Sequence, residues 1–297
     1  MVVVKMIGTK LAGVRLESKT PATPFVKWAG GKSQLLEQFE PLFPAQFKKY
    51  IEPFVGGGAV FFHLYNQGRI GDGVILNDLN EELMNCYKVI RDQVDELIQE
   101  LRRHEPHKTE KSYFYKIRSW DRKPDFKERN PVERAARTIF LNRTCYNGLY
   151  RVNSRGQFNV PFGSYKNPTI CDEDNLRAVS QALQGVELRS EDFEHCVKWA
   201  GPGDFLYLDP PYYPLSETAS FTSYTRDDFG KADQIRLAEV FRKLDRKGCL
   251  VMLSNSYTSF VRQLYADYRQ VVVTATRAIS CRGDGRSAIP ELVILNY

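Results

Sequence analysis

The chain has 297 residues, of which 42% are hydrophobic, and its 42 Lys and Arg against 36 Asp and Glu give a net charge of +6. This composition is typical of a folded globular protein and argues against a largely disordered chain. No run approaches the roughly 18 apolar residues of a membrane span, and the first residues lack a secretory signal, so we expect a cytoplasmic protein without membrane contact.

The positive charge is concentrated in one part of the chain. Residues 101–170 contain 16 Lys and Arg against 6 Asp and Glu, a net charge of +10, which leaves −4 for the remainder. Aromatic residues such as Tyr113, Trp120 and Tyr146 are interleaved with these charges. A surface that contacts the phosphates and bases of nucleic acid requires both basic and aromatic residues, whereas a solvated surface requires only the charged ones. From charge alone, both interpretations stay open.

Neither the six cysteines nor the four histidines form a metal-binding pattern. The cysteines include no C-x-x-C pair, and the histidines show no recurring spacing. We therefore expect reduced thiols, no disulfide framework and no metal site. His104 and His107 lie among charged residues, and we expect them at a solvated helix end.

The first 23 residues, which run into the KTPATP stretch, are expected to form a flexible arm. The following segment Gly31-Lys32-Ser33 resembles the end of a phosphate-binding Walker loop. That loop requires a glycine five positions before Gly31, and the residue there is Val26. Trp28 would also crowd a loop that must bring its backbone against phosphate. Lys32 therefore serves another anion or none.

A βαβ unit comes next. Strands are predicted over 50–54 and 74–78, and between them lie a glycine turn at 56–58 and a helix over 59–68. A glycine turn after a strand admits a ligand at the carboxyl end of a parallel sheet, and Asp78 is placed to accept both ribose hydroxyls of an adenosine. The alternative is a tight crossover without a ligand.

The second half of the sheet follows an interruption. A helix over 80–103 leads into the basic segment, whose loops rich in Asn and Gly make it the candidate for an inserted module. A helix is predicted over 227–248, and a glycine-containing loop between the last two strands favours an antiparallel pair at the sheet edge. The additional strands are predicted over 205–209, 249–254, 271–276 and 291–297.

Asp209-Pro210-Pro211-Tyr212 ends one of these apolar strands. The prolines stiffen the turn, so the flanking groups point into the crevice beyond the sheet. A carboxylate and the Pro210 carbonyl can accept both hydrogens of an exocyclic amine, and Tyr212 can stack on a planar base. The alternative is a Pro-rich turn with an incidental tyrosine.

These segments resemble a known family. FVKWAGGKSQLL, IEPFVGGGAVF, ILNDLN, LNRTCYNGLYRVNSRGQFNVPFG and LDPPYYPLSETASFTSY match, in order, segments of the Dam-type DNA adenine-N6 methyltransferases of the D12 class, from about Pro24 to about Leu295. The resemblance implies an α/β fold, with a Rossmann-like sheet of the S-adenosylmethionine-dependent methyltransferases and an inserted, mainly helical target-recognition domain. It implies a catalytic domain formed by residues 24–80 and 172–297, and a DNA-binding target-recognition domain over 81–171.

The resemblance also implies roles for individual residues. Those that match the family's S-adenosylmethionine site are Trp28, Lys32, Phe54, Gly56, Gly58, Asp78, Asp192, Phe193 and Asp209. Those that match its catalytic turn are Asp209, Pro210 and Tyr212. Those that match its DNA contacts are Lys27, Tyr146, Asn147, Leu149 and Arg151.

Within this resemblance, Lys32 meets the methionine carboxylate of the cofactor, Asp78 its ribose, and Asp192 with Phe193 its adenine. Tyr146 wedges into the duplex, while Arg151 reads a guanine.

Some residues depart from the pattern. Thr144-Cys145 and Tyr150 differ from those of Dam itself. Lys116, Arg118 and Lys123 lie outside the resemblance, and we expect them to contact phosphates or to form a solvated surface.

The sequence thus predicts a DNA methyltransferase that extrudes adenine, in GATC, from double-stranded DNA and transfers a methyl group from S-adenosylmethionine to N6. We expect a monomer associated with the nucleoid. Alternatives are methylation of cytosine N4, RNA or a protein amide, and a DNA-binding relative without activity. A cytosine-C5 enzyme is disfavoured because the chain lacks the Pro-Cys dipeptide that usually carries its nucleophile.

Overall fold

The computed structural model describes residues 20–215, 229–276 and 288–297. Most of the predicted N-terminal arm, the start of the helix predicted over 227–248, and the loop predicted between the last two strands lie outside these ranges, as does Cys281.

One seven-stranded sheet organises the fold, with the strand order β3-β2-β1-β4-β5-β7-β6. Its strands are β1 (Tyr50–Glu52), β2 (Val74–Asn77), β3 (Glu187–Arg189), β4 (Phe205–Leu208), β5 (Leu250–Ser256), β6 (Arg269–Thr276) and β7 (Ala288–Leu295). β7 is antiparallel to both of its neighbours, β5 and β6, whereas the pairs from β3 to β5 are parallel. This mixed sheet with helices confirms the predicted α/β fold class.

Helices cover both faces of the sheet. They are α1 (Leu36–Phe39), α2 (Ala59–Asn66), α3 (Glu81–Asp92), α4 (Val94–His104), α5 (Lys111–Arg118), α6 (Pro131–Thr144), α7 (Glu173–Ala182), α8 (Cys196–Trp199), α9 (Lys231–Arg246) and α10 (Ser259–Leu264). Side-chain caps fix the starts of two long ones. Asn80 accepts hydrogen bonds from the first turn of α3, and Asn130 accepts one from Val132 at the start of α6.

Two apolar cores lie on opposite faces of the sheet because successive side chains of a strand point to opposite sides. Tyr50 and Phe205 belong to the core that includes α2, α3 and α6, while Ile51 and Leu206 belong to the core that includes α9. The core of the helical segment between β2 and β3 is continuous with the first of these.

The six predicted strands are confirmed with shifted ends, and the last two form the predicted antiparallel pair. β3 was missed because it has only three residues and remains partly exposed. The helix predicted over 80–103 is two helices, since Gln93 leaves helical geometry at φ −144° and ψ 45°. The pair of β6 and β7 lies at the sheet edge, as predicted, with β6 outermost and β7 also paired with β5.

One expectation about the basic segment is wrong. His104 is not at a solvated helix end: it is buried, its Nδ1 lies 2.9 Å from the Tyr113 hydroxyl, and its ring stacks on Phe140. Burial lowers the pKa of His104 to about 4. The five cysteines in the described ranges are free thiols.

Candidate active site

The ends of β1, β2 and β4 lie side by side in the sheet, so the turns that follow them meet at one edge. We call these turns, residues 53–58, 78–80 and 209–213, the carboxyl edge. Asn77, which is buried, ties this edge together: its Nδ2 donates to the carbonyls of Pro53 and Glu191, and its Oδ1 accepts from the Glu191 N–H.

Asp78 and the glycine turn are joined directly. The Gly56 N–H donates to Asp78 Oδ2 at 3.0 Å, and the Asn80 N–H donates to Oδ1 at 2.9 Å. Burial raises the pKa of Asp78 to about 6, although these two hydrogen bonds oppose the rise. Gly56 has a φ of 48°, and a Cβ there would lie 2.7 Å from Trp28 Cδ1. The backbone of the turn therefore packs on the Trp28 ring, which no larger residue would permit.

The buried Lys32 and the half-buried Asp209 form an ion pair, with Lys32 Nζ 2.8 Å from Asp209 Oδ2. Lys32 Nζ also donates to the Gly30 carbonyl and lies 4.8 Å from the centre of the Tyr212 ring. Burial raises the pKa of Asp209 to about 6, Lys32 acts to lower it, and Glu291 raises it further. Within the described ranges, the buried Asp209 Oδ1 has no hydrogen-bond partner.

The turn after Asp209 is held by side chains from three other elements, β5, β7 and α9. The Tyr212 hydroxyl donates to Glu291 Oε2 at 2.7 Å. The Pro211 carbonyl accepts from Gln234 Nε2, and Asn255 Nδ2 donates to Gln234 Oε1, each at 2.9 Å. These bonds leave the prolines little freedom, so the turn is set in place by α9, by the end of β5 and by β7.

Phe54, Asp192 and Phe193 lie together beside the carboxyl edge. The rings of Phe54 and Phe193 are 5.3 Å apart, and Phe229 contacts both. Arg236, which the sequence did not indicate, lies 4.5 Å above the Phe193 ring and donates to Asp192 Oδ2 at 2.9 Å. Asp192 Oδ1 accepts from the Glu194 N–H. These contacts order Asp192 and Phe193 without a ligand.

Lys27 contacts a loop that lies more than 100 residues later in the chain. Asn142, which is fully buried on α6, accepts from the Lys27 N–H at 2.8 Å and donates to the Lys27 carbonyl at 2.7 Å. The same side chain donates to the Gly148 carbonyl at 2.9 Å. Gly148 has a φ of 63°, and a Cβ there would clash with the Lys27 side chain. Lys27 therefore packs directly on the loop formed by residues 146–151.

The 146–151 loop presents some of its side chains to solvent. Tyr146 is 49% exposed, and Asn147 has a positive φ of 54°. Leu149 is half-buried, while the exposed Arg151 donates through Nε to Asn159 Oδ1 at 2.7 Å. The structure thus places Lys27 beside the loop that carries the other residues predicted to contact DNA.

Tyr150 connects this loop with the carboxyl edge. It is buried, and its ring stacks on Trp28 at 5.1 Å with an angle of 28° between the planes. Trp28 in turn packs on the glycine turn. The departure from the family pattern at Tyr150 is therefore an internal contact.

Of the three basic residues outside the family pattern, Lys116 and Lys123 are exposed. Arg118 is different: it is half-buried, donates to the Val160 carbonyl at 3.1 Å and lies 4.6 Å above the Tyr115 ring. Its guanidinium stabilises the fold, which neither expected role described.

Comparison with known proteins decides the family. The sequence profile of the D12 class N6 adenine-specific DNA methyltransferases matches residues 28–279. The chain belongs to this family.

Three relatives match this methyltransferase almost end to end. It is 50% identical to the type II methyltransferase M.MjaIII of Methanocaldococcus jannaschii, over 92% of this chain and 99% of the relative. It is 44% identical to the type II methyltransferase M1.LlaDCHI of Lactococcus lactis, over 95% and 98%. It is 34% identical to the DNA adenine methylase of Haemophilus influenzae, over 94% and 96%.

The methyltransferase therefore acts on DNA and methylates adenine at N6, using a methyl donor. Membership in this family decides against cytosine N4, RNA or a protein amide as the target, and against a DNA-binding protein without activity. In the described ranges, no helix is long and apolar enough to cross a membrane, and no cluster of His, Cys, Asp and Glu could hold a metal ion.

Several residues of the methyltransferase's site escaped sequence reasoning. Glu291 and Gln234 hold the turn after Asp209, but they are distant in sequence and belong to no motif. Glu52 ends β1, is buried and accepts from the Tyr50 hydroxyl at 2.8 Å; burial raises its pKa well above the usual range. Asn255 offered a signal, because it is a polar residue near the end of an apolar strand.

Proposed function

We propose that the methyl donor is S-adenosylmethionine, and that the target is the adenine of GATC in double-stranded DNA, extruded from the helix before methylation. The observation that carries this proposal is Asp209 at the carboxyl edge: a half-buried carboxylate that pairs with Lys32 beside the glycine turn and Asp78, and whose Oδ1 has no hydrogen-bond partner within the described ranges.

The residues at this edge fit the cofactor. Asp78 suits the ribose hydroxyls, and Trp28, Gly56 and Gly58 line the approach, with Phe54, Asp192 and Phe193 beside the adenine. When bound, S-adenosylmethionine supplies a methyl group activated by a sulfonium. An ammonium group carries three N–H donors. In the described ranges, Asp209 and the Gly30 carbonyl engage two donors of Lys32, which leaves one for the methionine carboxylate.

The target amine is held by the turn at residues 209–212. Asp209 Oδ1 and the Pro210 carbonyl accept the two N6 hydrogens, and the Tyr212 ring stacks on the base. Accepting these hydrogens raises the electron density on N6, which favours its attack on the methyl group. The amine then loses one proton, and the ionised Asp209 is the nearby base.

The DNA contacts are assigned to Lys27, Tyr146, Asn147, Leu149 and Arg151. N6 of a stacked and paired adenine cannot reach the buried Asp209, so the base must leave the helix. The exposed Tyr146 is suited to fill the gap, and Arg151 can donate two hydrogen bonds to a guanine. The grouping of Lys27 with the 146–151 loop supports this assignment.

We assign residues 81–171 to target recognition and the remainder from residue 24 to catalysis. The two relatives that are named type II methyltransferases support a role as the modification enzyme of a restriction-modification pair. With DNA as its substrate, the enzyme works on the nucleoid in the cytoplasm, and we propose that it does so as a monomer.

The test is to map modified bases in the DNA of cells that lack adenine methylation of their own and express this chain. We expect N6-methyladenine at GATC, and none with the Asp209→Ala variant. Methylation confined to another sequence would overturn the GATC assignment and leave the rest standing. A second experiment tests the identity of the methyl donor and the need for double-stranded DNA. Purified enzyme is incubated with S-adenosylmethionine that carries a labelled methyl group, and with either double-stranded or single-stranded DNA. Equal labelling of single-stranded DNA would contradict the duplex requirement.

A further inference from the structure

Glu291 belongs to the last strand, yet it lies at the carboxyl edge. β7 runs opposite to its neighbours, so its beginning lies where β5 ends: Glu291 pairs with Ser256, the last residue of β5. An antiparallel strand can thus deliver a side chain from its start to the site that the parallel strands serve with their ends.

At this position Glu291 holds Tyr212. The Tyr212 hydroxyl donates to Glu291 Oε2 at 2.7 Å, and Lys32 Nζ lies 4.8 Å from the centre of the same ring. Glu291 also lies close enough to Asp209 to act on its charge. The Tyr212 ring is therefore fixed at its hydroxyl by one charged group and faces another.

We propose that Glu291 is a positioning residue for methyl transfer, whose carboxylate holds the Tyr212 hydroxyl and so fixes the ring in the orientation that stacks on the extruded adenine. This inference rests on the proposed role of Tyr212 in binding the target base. Without the hydrogen bond, the ring would rotate about its side-chain torsions, and the amine would lose its alignment. Displacements of about 1 Å can cost about 100-fold in rate, so a fixed ring matters.

The test is a double-mutant cycle on the rate of a single turnover with bound DNA and cofactor. Glu291→Ala and Tyr212→Phe each remove the hydrogen bond, and we expect each to slow methyl transfer by about 10-fold or more. The double variant should be no slower than the slower single variant, because both changes remove the same interaction. Glu291→Gln retains an acceptor oxygen and should restore the rate to within about 3-fold of wild type.

A structural role without positioning predicts a different outcome. In that case Glu291→Ala would lower the melting temperature, leave the rate of the folded fraction within about 2-fold, and act independently of Tyr212→Phe. An unchanged rate, or effects of the two substitutions that are independent of each other, would overturn the proposal.

The matched control is Glu239→Ala, which replaces an exposed glutamate on α9 and should leave the rate of methyl transfer unchanged. Any duplex that the wild-type enzyme methylates serves as substrate, so this test remains valid if the GATC assignment fails. If the wild-type enzyme transferred no methyl group to any DNA, the proposed function itself would be refuted.

Discussion

The carboxyl edge and the 146–151 loop lie next to each other but are built in opposite ways. At the edge, Asp209 is 19% exposed and pairs with Lys32, which is 4% exposed and also donates to the Gly30 carbonyl. In the loop, Tyr146 is 49% exposed and Arg151 reaches into solvent. The first arrangement suits chemistry, which needs fixed and desolvated groups, and the second suits contact with a long external partner. Substitutions at the edge should therefore remove turnover, and substitutions in the loop should change discrimination.

The largest effect is expected for Asp209→Ala. The substitution removes the acceptor of the target amine and a base, so turnover should fall by about 100-fold or more, while DNA binding survives because Asp209 does not contact phosphates. Turnover and DNA affinity of the purified variant check this, with Glu239→Ala as control. More than a few per cent of wild-type turnover would contradict a catalytic role.

Lys32→Ala should separate cofactor binding from DNA binding. One charged hydrogen bond to a carboxylate is worth about 1.5 to 3 kcal/mol, so the required concentration of S-adenosylmethionine should rise by about 10- to 150-fold. Titration of the cofactor against the variant measures this, and Lys243→Ala, an exposed lysine on α9, is the control. An unchanged cofactor affinity would show that Lys32 serves only Asp209.

Arg151→Ala tests whether the 146–151 loop discriminates between DNA sequences. Loss of a bidentate guanine contact costs about 1 to 3 kcal/mol at the cognate site and little elsewhere, so the ratio of methylation at GATC to methylation at sites with one altered base pair should fall. Lys116→Ala and Arg155→Ala, both exposed, should leave the ratio unchanged. The measurement is initial rates on matched duplexes at fixed salt. Equal losses on all duplexes would make Arg151 a phosphate contact.

The smallest expected effect concerns pH. Asp209 must be ionised to accept the amine hydrogens, and its pKa is raised to about 6, so kcat/KM for DNA should fall as the pH drops below about 6. Because Glu291 helps to raise this pKa, Glu291→Gln should move the acidic limb to lower pH. Asp78 also has a pKa of about 6, but Glu291 is not among the causes of its shift. An acidic limb that stays in place in Glu291→Gln would assign it to another group.

The sequence predicted those parts of the molecule in which functional residues lie within a short, recognisable segment. Recognisable residues mark the strand ends with Asp78 and Asp209, the glycine turn and the 146–151 loop. No such residues mark the contacts that hold them: Glu291 is 79 residues from Tyr212, and Asn142 is 115 residues from Lys27. Such pairs depend on how strands and helices pack, which periodicity does not encode. β3 was missed because three partly exposed residues carry too short a pattern, and the break at Gln93 because the apolar spacing continues across it.

The position of β7 also has a consequence for how the protein folds. β6 joins the sheet through β7 alone, although β6 precedes β7 in the chain. Until β7 pairs, the edge of β5 is open and the valine run of β6, Val271 to Val273, has no partner. Unpaired apolar strands are sites of aggregation. The step that protects these strands is the same step that delivers Glu291 to Tyr212, so a molecule that stalls before it is both prone to self-association and without its completed site.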